Sequence, residues 1–183
     1  MTDILIVAAT EPELCGRAGL VCGVGPVEAA ATTARALAVS RPDAVLHVGI
    51  AGAHRASGLE PRQLVLGSRA VYEDLRLTSG LAPRDVTPDE ALLRAAQGAL
   101  PEAAVLPIAT TARVGGGTEC PVEAMEGFAV LRAATLAGVP AVELRAISNL
   151  VEDARADWRI EDALAALADA IPRVVAAIER GGD

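Results

Sequence analysis

From Val122 to Trp158 the chain reads VEAMEGFAVLRAATLAGVPAVELRAISNLVEDARADW. The spacing of Phe128, Leu131, Thr135 and Leu136 predicts a helix from about Glu126 to Ala137. Gly138 ends it and Pro140 enforces the end, because glycine adopts the left-handed cap and proline cannot continue a helix. The following run, Val139–Ile147, is dense in branched apolar residues, as a strand buried on both faces must be. It carries Arg145 and finishes in Ser148-Asn149. A helix feeding a buried strand is half of an α/β layer, and ligands of open α/β sheets sit beyond the carboxyl ends of strands. A polar strand end is therefore where a site is expected. Each piece also has an ordinary reading: Glu126 as an acidic first-turn residue favoured by the helix dipole, Asn149 as a turn residue.

The rest of the chain repeats the alternation. Asp3–Ala9 is a short, nearly all-apolar strand that runs into Thr10-Glu11-Pro12-Glu13. Two glutamates just past a central strand are either a solvated turn or part of a site. Leu20–Gly23 reads as a second strand, and Val27–Val39 as a helix opened by Pro26. The intervening Gly23-Val24-Gly25-Pro26 lacks the third glycine of a dinucleotide fingerprint, which argues against a Rossmann cofactor site. Ala44–Val48 is a third strand leading to a small-residue turn, Gly49-Ile50-Ala51-Gly52-Ala53, where backbone amides can approach a ligand. Leu64–Tyr72 is a fourth strand, Gly80–Pro88 a loop, and Pro88-Asp89-Glu90 opens a helix to about Gly98. Ala104–Ala112 is a fifth strand, followed by the glycine-rich loop Arg113–Thr118. After Trp158 the apolar spacing predicts a long amphipathic helix, kinked or broken at Pro172.

At 183 residues the expectation is one domain spanning 1–183. The chain is 52% hydrophobic, yet no run is long enough to span a bilayer, and MTDILIVAAT has no basic region before its apolar run. A cytoplasmic protein without membrane partners is expected. The net charge is −8 and every basic residue is an arginine. With no basic cluster and few aromatics, nucleic-acid binding is not expected, and the absence of lysine excludes a Walker A loop. Cys15, Cys22 and Cys120 lack metal-ligand spacing and read as reduced thiols, and His47 and His54 form no HExxH pattern. Neither a metal nor a cofactor is expected.

Met125-Glu126-Gly127, followed by Arg145-Ala146-Ile147-Ser148-Asn149, resembles the C-terminal half of the nucleoside phosphorylase and nucleosidase superfamily. Gly-x-Gly-Pro-x-x-Ala-Ala at Gly23–Ala30 is similar to that family's glycine turn. Methylthioadenosine/S-adenosylhomocysteine nucleosidases usually end the last strand in Ser-Asp. Ser148-Asn149 followed by an acidic, arginine-containing loop and Trp158 is more similar to the futalosine hydrolases of menaquinone biosynthesis. The resemblance implies a three-layer αβα fold around a central twisted mixed sheet, and a homodimer acting on a small-molecule nucleoside. It implies Glu13 as the base that activates water and Glu126 as the acceptor for the ribose hydroxyls. Arg145 would position the water or orient Glu13, with a buried ion pair to Glu126 as the alternative. Ile50, Ala51, Gly52, Met125 and Ser148 would line the substrate. Two segments look shorter than in the family, after Glu13 and before Glu126. The second lacks the usual aromatic for base stacking, which leaves Phe128, Tyr72 or Trp158 as replacements, or an open base pocket.

Asn149 bears on which base is released. An aspartic acid there can protonate purine N7, whereas a carboxamide can only donate from its NH2 and accept at its oxygen. Hypoxanthine is the more acidic base and needs less help to leave, so Asn149 favours a 6-oxopurine nucleoside. For the non-purine end of futalosine, Arg55, Arg76 and Arg113 are candidates to meet a carboxylate. The ordinary description of each is a solvated surface arginine.

Overall fold

The computed structural model describes residues 2–76, 80–115 and 117–181. Gly116, part of the glycine-rich loop noted above, lies outside the described residues. In chain order the elements are β1 (Ile4–Ala8), β2 (Leu20–Val21), α1 (Pro26–Val39), β3 (Ala44–Ala53), β4 (Leu64–Tyr72) and β5 (Asp85–Val86). They continue with α2 (Glu90–Ala99), β6 (Ala104–Thr110), β7 (Val122–Ala124), α3 (Gly127–Ala137), β8 (Ala141–Leu150) and α4 (Ile160–Gly181).

Alternation along the buried strands sorts their side chains into two helix-facing cores. On one face Leu46, Val48, Leu66, Leu144 and Ala146 pack with Leu167, Ile171 and Val174 of α4 and with α2. On the other Val7, Val45 and Ala141 pack with Ala29 and Leu37 of α1 and Val130 and Leu131 of α3. This is a mixed sheet between two helical layers. The sheet also closes on itself: β3 pairs with β8, β8 with β4, β4 with β6, β6 with β7, and β7 returns to the end of β3. Ala51, Val65, Ile108, Val122 and Ile147, one from each strand of the ring, fill its interior. Only β1, β2 and β5 lie outside the ring, with the two-residue β2 and β5 at the sheet's ends.

Several local signals act as chemistry requires. Gly138 caps α3 at φ 70° and donates to the carbonyls of Ala134 and Thr135. Asp89 caps α2 by accepting from the amides of Ala91 and Leu92. Elsewhere tertiary pairing overrides the local reading. β3 does not stop at Val48 but runs on through Gly49–Ala53, and β8 runs on through Ser148-Asn149-Leu150, because each satisfies the other's backbone. α4 is one helix of 22 residues, unbroken at Pro172. Ile171, Val174 and Ile178 on either side are buried against the sheet, enough apolar burial to offset the roughly 3 kcal/mol that an internal proline costs. The strand β5 forms within the expected loop Gly80–Pro88, and β7 forms just before Glu126, each too short to carry a periodic signal.

Leu144 is fully buried at the centre of the β8–α4 core. Replacement by alanine should cost about 2–5 kcal/mol of stability, read as a shifted urea midpoint at unchanged slope.

Candidate active site

The site begins with a charge that has no water around it. Glu143 and Arg145 sit two apart on β8 and therefore share its face, and His47 is the register partner of Glu143 on β3. All three are fully buried. Arg145 Nε donates to Glu143 Oε1 at 2.8 Å, its Nη2 donates to His47 Nε2, and the same Nη2 lies 3.8 Å from Glu126 Oε2. His47 Nδ1 is 3.0 Å from the Val7 carbonyl, so that nitrogen carries the proton and Nε2 is left to accept. Burial and then the neighbouring guanidinium hold His47 well below its usual pKa, so the ring is neutral. Burial pushes the pKa of Arg145 down, but Glu143, Glu126 and Glu13 outweigh it and raise it. Space for the cluster comes from missing side chains. A Cβ on Gly127, the first residue of α3, would collide with the Glu143 carboxylate, and one on Gly49 would collide with Arg145 Nη1 and lie 2.8 Å from Glu13 Oε1.

Above this cluster opens a cavity of about 350 Å³. Glu13 and Glu126 both line it and both are buried. Glu13 lies on a 3₁₀ turn, Glu11–Leu14, capped by Thr10. Its Oε2 accepts from the Thr10 amide and hydroxyl at 2.9 and 2.7 Å, and its Oε1 from the Ile50 amide at 3.0 Å. Glu126 stands just before α3, with Oε1 accepting from the Gly25 amide at 3.0 Å. Desolvation raises its pKa, partly countered by Arg145 and the Gly25 amide. The expected helix thus starts one residue later, and Glu126 is its cap position.

At the other end of the lining, the register between β3 and β8 shifts between Ala51 and Gly52, so that Ser148 is the extra residue. A bulge re-aims the side chains beside it, and Ser148 and Asn149, though consecutive, both line the cavity. Asn149 Oδ1 is 2.8 Å from Ser148 Oγ, and Nδ2 donates to the Leu150 carbonyl at 3.0 Å, leaving its second proton uncommitted.

Of the residues singled out from sequence, Glu13, Glu126, Asn149, Ile50, Ala51, Gly52, Met125, Ser148 and Trp158 line this cavity. Arg145 does not: it lies beneath, among the carboxylates. Phe128 does not either. Its ring stacks on Tyr72, centroids 5.2 Å apart, because it leaves α3 towards β4 and β6. Trp158 is the aromatic of the three that reaches the lining, with Arg155 4.7 Å over its ring. Arg155 also lines the cavity, whereas Arg55 pairs with Asp153 and Arg76 with Glu73. Sequence reasoning missed Glu143, Glu123 and Arg155. Glu143 had a usable signal, a second charge two residues before Arg145 in an otherwise apolar strand.

Residues 15–180 match the phosphorylase superfamily, and the chain belongs to it. Over 58 residues it is 55% identical to a futalosine hydrolase from Streptomyces coelicolor, a match spanning 31% of this chain and 25% of that relative. A futalosine hydrolase from Thermus thermophilus is 34% identical over 188 aligned positions, covering 89% of this chain and 82% of the relative. The native structure of futalosine hydrolase from Helicobacter pylori shares the fold, with a TM-score of 0.84 at 18% identity over 96% of this chain and 97% of that one.

Removing one partner of a buried ion pair strands the other charge, at a cost of about 3–5 kcal/mol. Glu143→Ala should lose stability on that scale in chemical denaturation, and Glu143→Gln, which can still accept from Arg145 Nε, should lose less.

Proposed function

We propose that the protein hydrolyses the N-glycosidic bond of a 6-oxopurine nucleoside, with futalosine as substrate and hypoxanthine and dehypoxanthine futalosine as products. The observation that carries this is the spacing of two kinds of group along one cavity. Glu13 Oε1 lies 2.8 Å from where a Cβ of Gly49 would be, while Asn149 Nδ2 lies 3.2 Å from where a Cβ of Gly52 would be. A strand rises about 3.3 Å per residue, so these two points on β3 are roughly 10 Å apart. That is the length over which a ribose and its base extend.

Cleavage of the bond between C1′ and the base leaves positive charge on the sugar, in an oxocarbenium-like transition state. The lining carries three carboxylates, Glu13, Glu123 and Glu126, against the single arginine Arg155. Such a surface favours a cationic sugar and repels phosphate, which supports water over phosphate as the nucleophile. Glu13 acts as base. Its Oε2 is saturated by Thr10, but Oε1 accepts one bond and keeps a lone pair for water. Glu13 takes the water proton, the oxygen bonds to C1′, and the purine departs with the electrons of the broken bond. Glu126 keeps acceptor sites for the ribose hydroxyls beyond its bond to Gly25. Arg145, out of contact with the cavity, holds Glu126 in place and partly compensates its charge. Asn149 offers its free N–H to the departing base. Arg155 is the cation at hand for a carboxylate on the non-purine end. The same reading carries a homodimer, on the strength of the family resemblance, acting in the cytoplasm.

In a base-release assay, futalosine should be turned over in preference to methylthioadenosine, and release from methylthioadenosine alone would overturn the proposal. Glu13→Gln should lower kcat by at least about 100-fold while hypoxanthine binding persists. Asn149→Asp should slow futalosine cleavage and raise adenine release.

Glu126 must be ionised to stabilise the cationic sugar, and its pKa is raised in the folded protein. Turnover should therefore rise with pH through a group titrating above ordinary glutamate, and Glu126→Gln should abolish that limb. The sign for stability is opposite: the folded state holds this proton more tightly than the unfolded chain. Its contribution therefore declines as pH rises from the ordinary value through the raised one.

A further inference from the structure

Resting on the nucleosidase reading, we infer that Glu123 reads the base together with Asn149, accepting a hydrogen bond from the N1–H of a 6-oxopurine. Glu123 lies on β7, opposite Gly52 of β3, and lines the cavity with only 5% of its surface exposed. Its Oε1 accepts from the Gly115 amide at 2.6 Å. Its Oε2 is buried and has no hydrogen-bond partner. His54 Nε2 is 3.9 Å away, beyond hydrogen-bond length, and is itself without a hydrogen-bond partner. A buried carboxylate oxygen left open costs free energy that a ligand donor would recover.

Position gives the donor its identity. A Cβ on Gly52 would lie 3.2 Å from Asn149 Nδ2 and 3.7 Å from Glu123 Cγ, so the amide and the acid are neighbours over one glycine. Together they present a donor and an acceptor side by side. The edge of hypoxanthine offers the complement, with O6 accepting and N1–H donating. Adenine offers the reverse, an amine at C6 and a lone pair at N1, which an acceptor-only carboxylate repels. Glu123 is thus a specificity residue, distinct from the carboxylates at the sugar end.

Calorimetric titration with free hypoxanthine, adenine and 1-methylhypoxanthine tests this. The wild-type protein should bind hypoxanthine at least about tenfold more tightly than 1-methylhypoxanthine, which has lost the donor, and more tightly than adenine. In Glu123→Gln the new NH2 can face adenine N1, so the hypoxanthine-to-adenine affinity ratio should fall by about tenfold or more. The 1-methylhypoxanthine comparison needs no variant and decides the matter if Glu123→Gln does not fold. An unchanged ratio, with 1-methylhypoxanthine bound as well as hypoxanthine, overturns the inference and leaves Glu123 as a fastener for Gly115. That result would leave the nucleosidase reading intact provided futalosine is still cleaved. Failure of the wild type both to bind any purine and to cleave any nucleoside overturns both.

Discussion

A guanidinium without access to water is the constraint on which the rest depends. Glu143, Glu126 and Glu13 stabilise the charge of Arg145 against its burial, and Arg145 in turn helps those carboxylates tolerate theirs. The arrangement ties four separate parts of the chain to one point: the turn after β1, the middle of β3, the cap of α3 and the strand β8. It also demands small residues at fixed places. Gly49 and Gly127 are glycines because a carboxylate or a guanidinium occupies the space of their side chains. The chemistry of the site and the packing of the sheet are thus one problem with one solution. His47 completes it by accepting the last strong donor while remaining neutral.

Much of this is legible in the sequence. The helix of Val27–Val39, the strand Leu64–Tyr72 and the stop at Gly138 follow from local rules, since periodicity and caps act within a few residues. The motifs around Glu126 and Asn149 point to a strand end that lines the cavity. What local rules could not supply was pairing across the chain. β3 and β8 continue through residues with the composition of turns because each is the other's hydrogen-bond partner. Phe128 has the chemistry of a stacking residue, but its direction from α3 sends it to Tyr72. Arg145 was expected near substrate; the alternation along β8 turns it into the protein, where only its neighbours feel it.

The cavity is graded along its length. One end is built from carboxylates held by backbone amides and suits a centre that becomes positive. The other is built from an amide, a hydroxyl and an acid with an open oxygen, and suits the hydrogen-bonding edge of a neutral ring. The bulge at Ser148 makes this possible, since a regular strand would turn one of two consecutive side chains away.

The ring of strands has a further consequence for life in a crowded solution. An open sheet exposes a full row of unpaired amides and carbonyls at each margin, onto which an unfolded neighbour can zip. Here the long strands spend much of their backbone on one another around the ring, and the margins are left to Leu20–Val21, Asp85–Val86 and the first three residues of β1, which β2 does not cover. Stretches of two or three residues are short templates for recruiting another chain. A protein with this much alanine, valine and leucine thereby keeps its most adhesive surface out of reach.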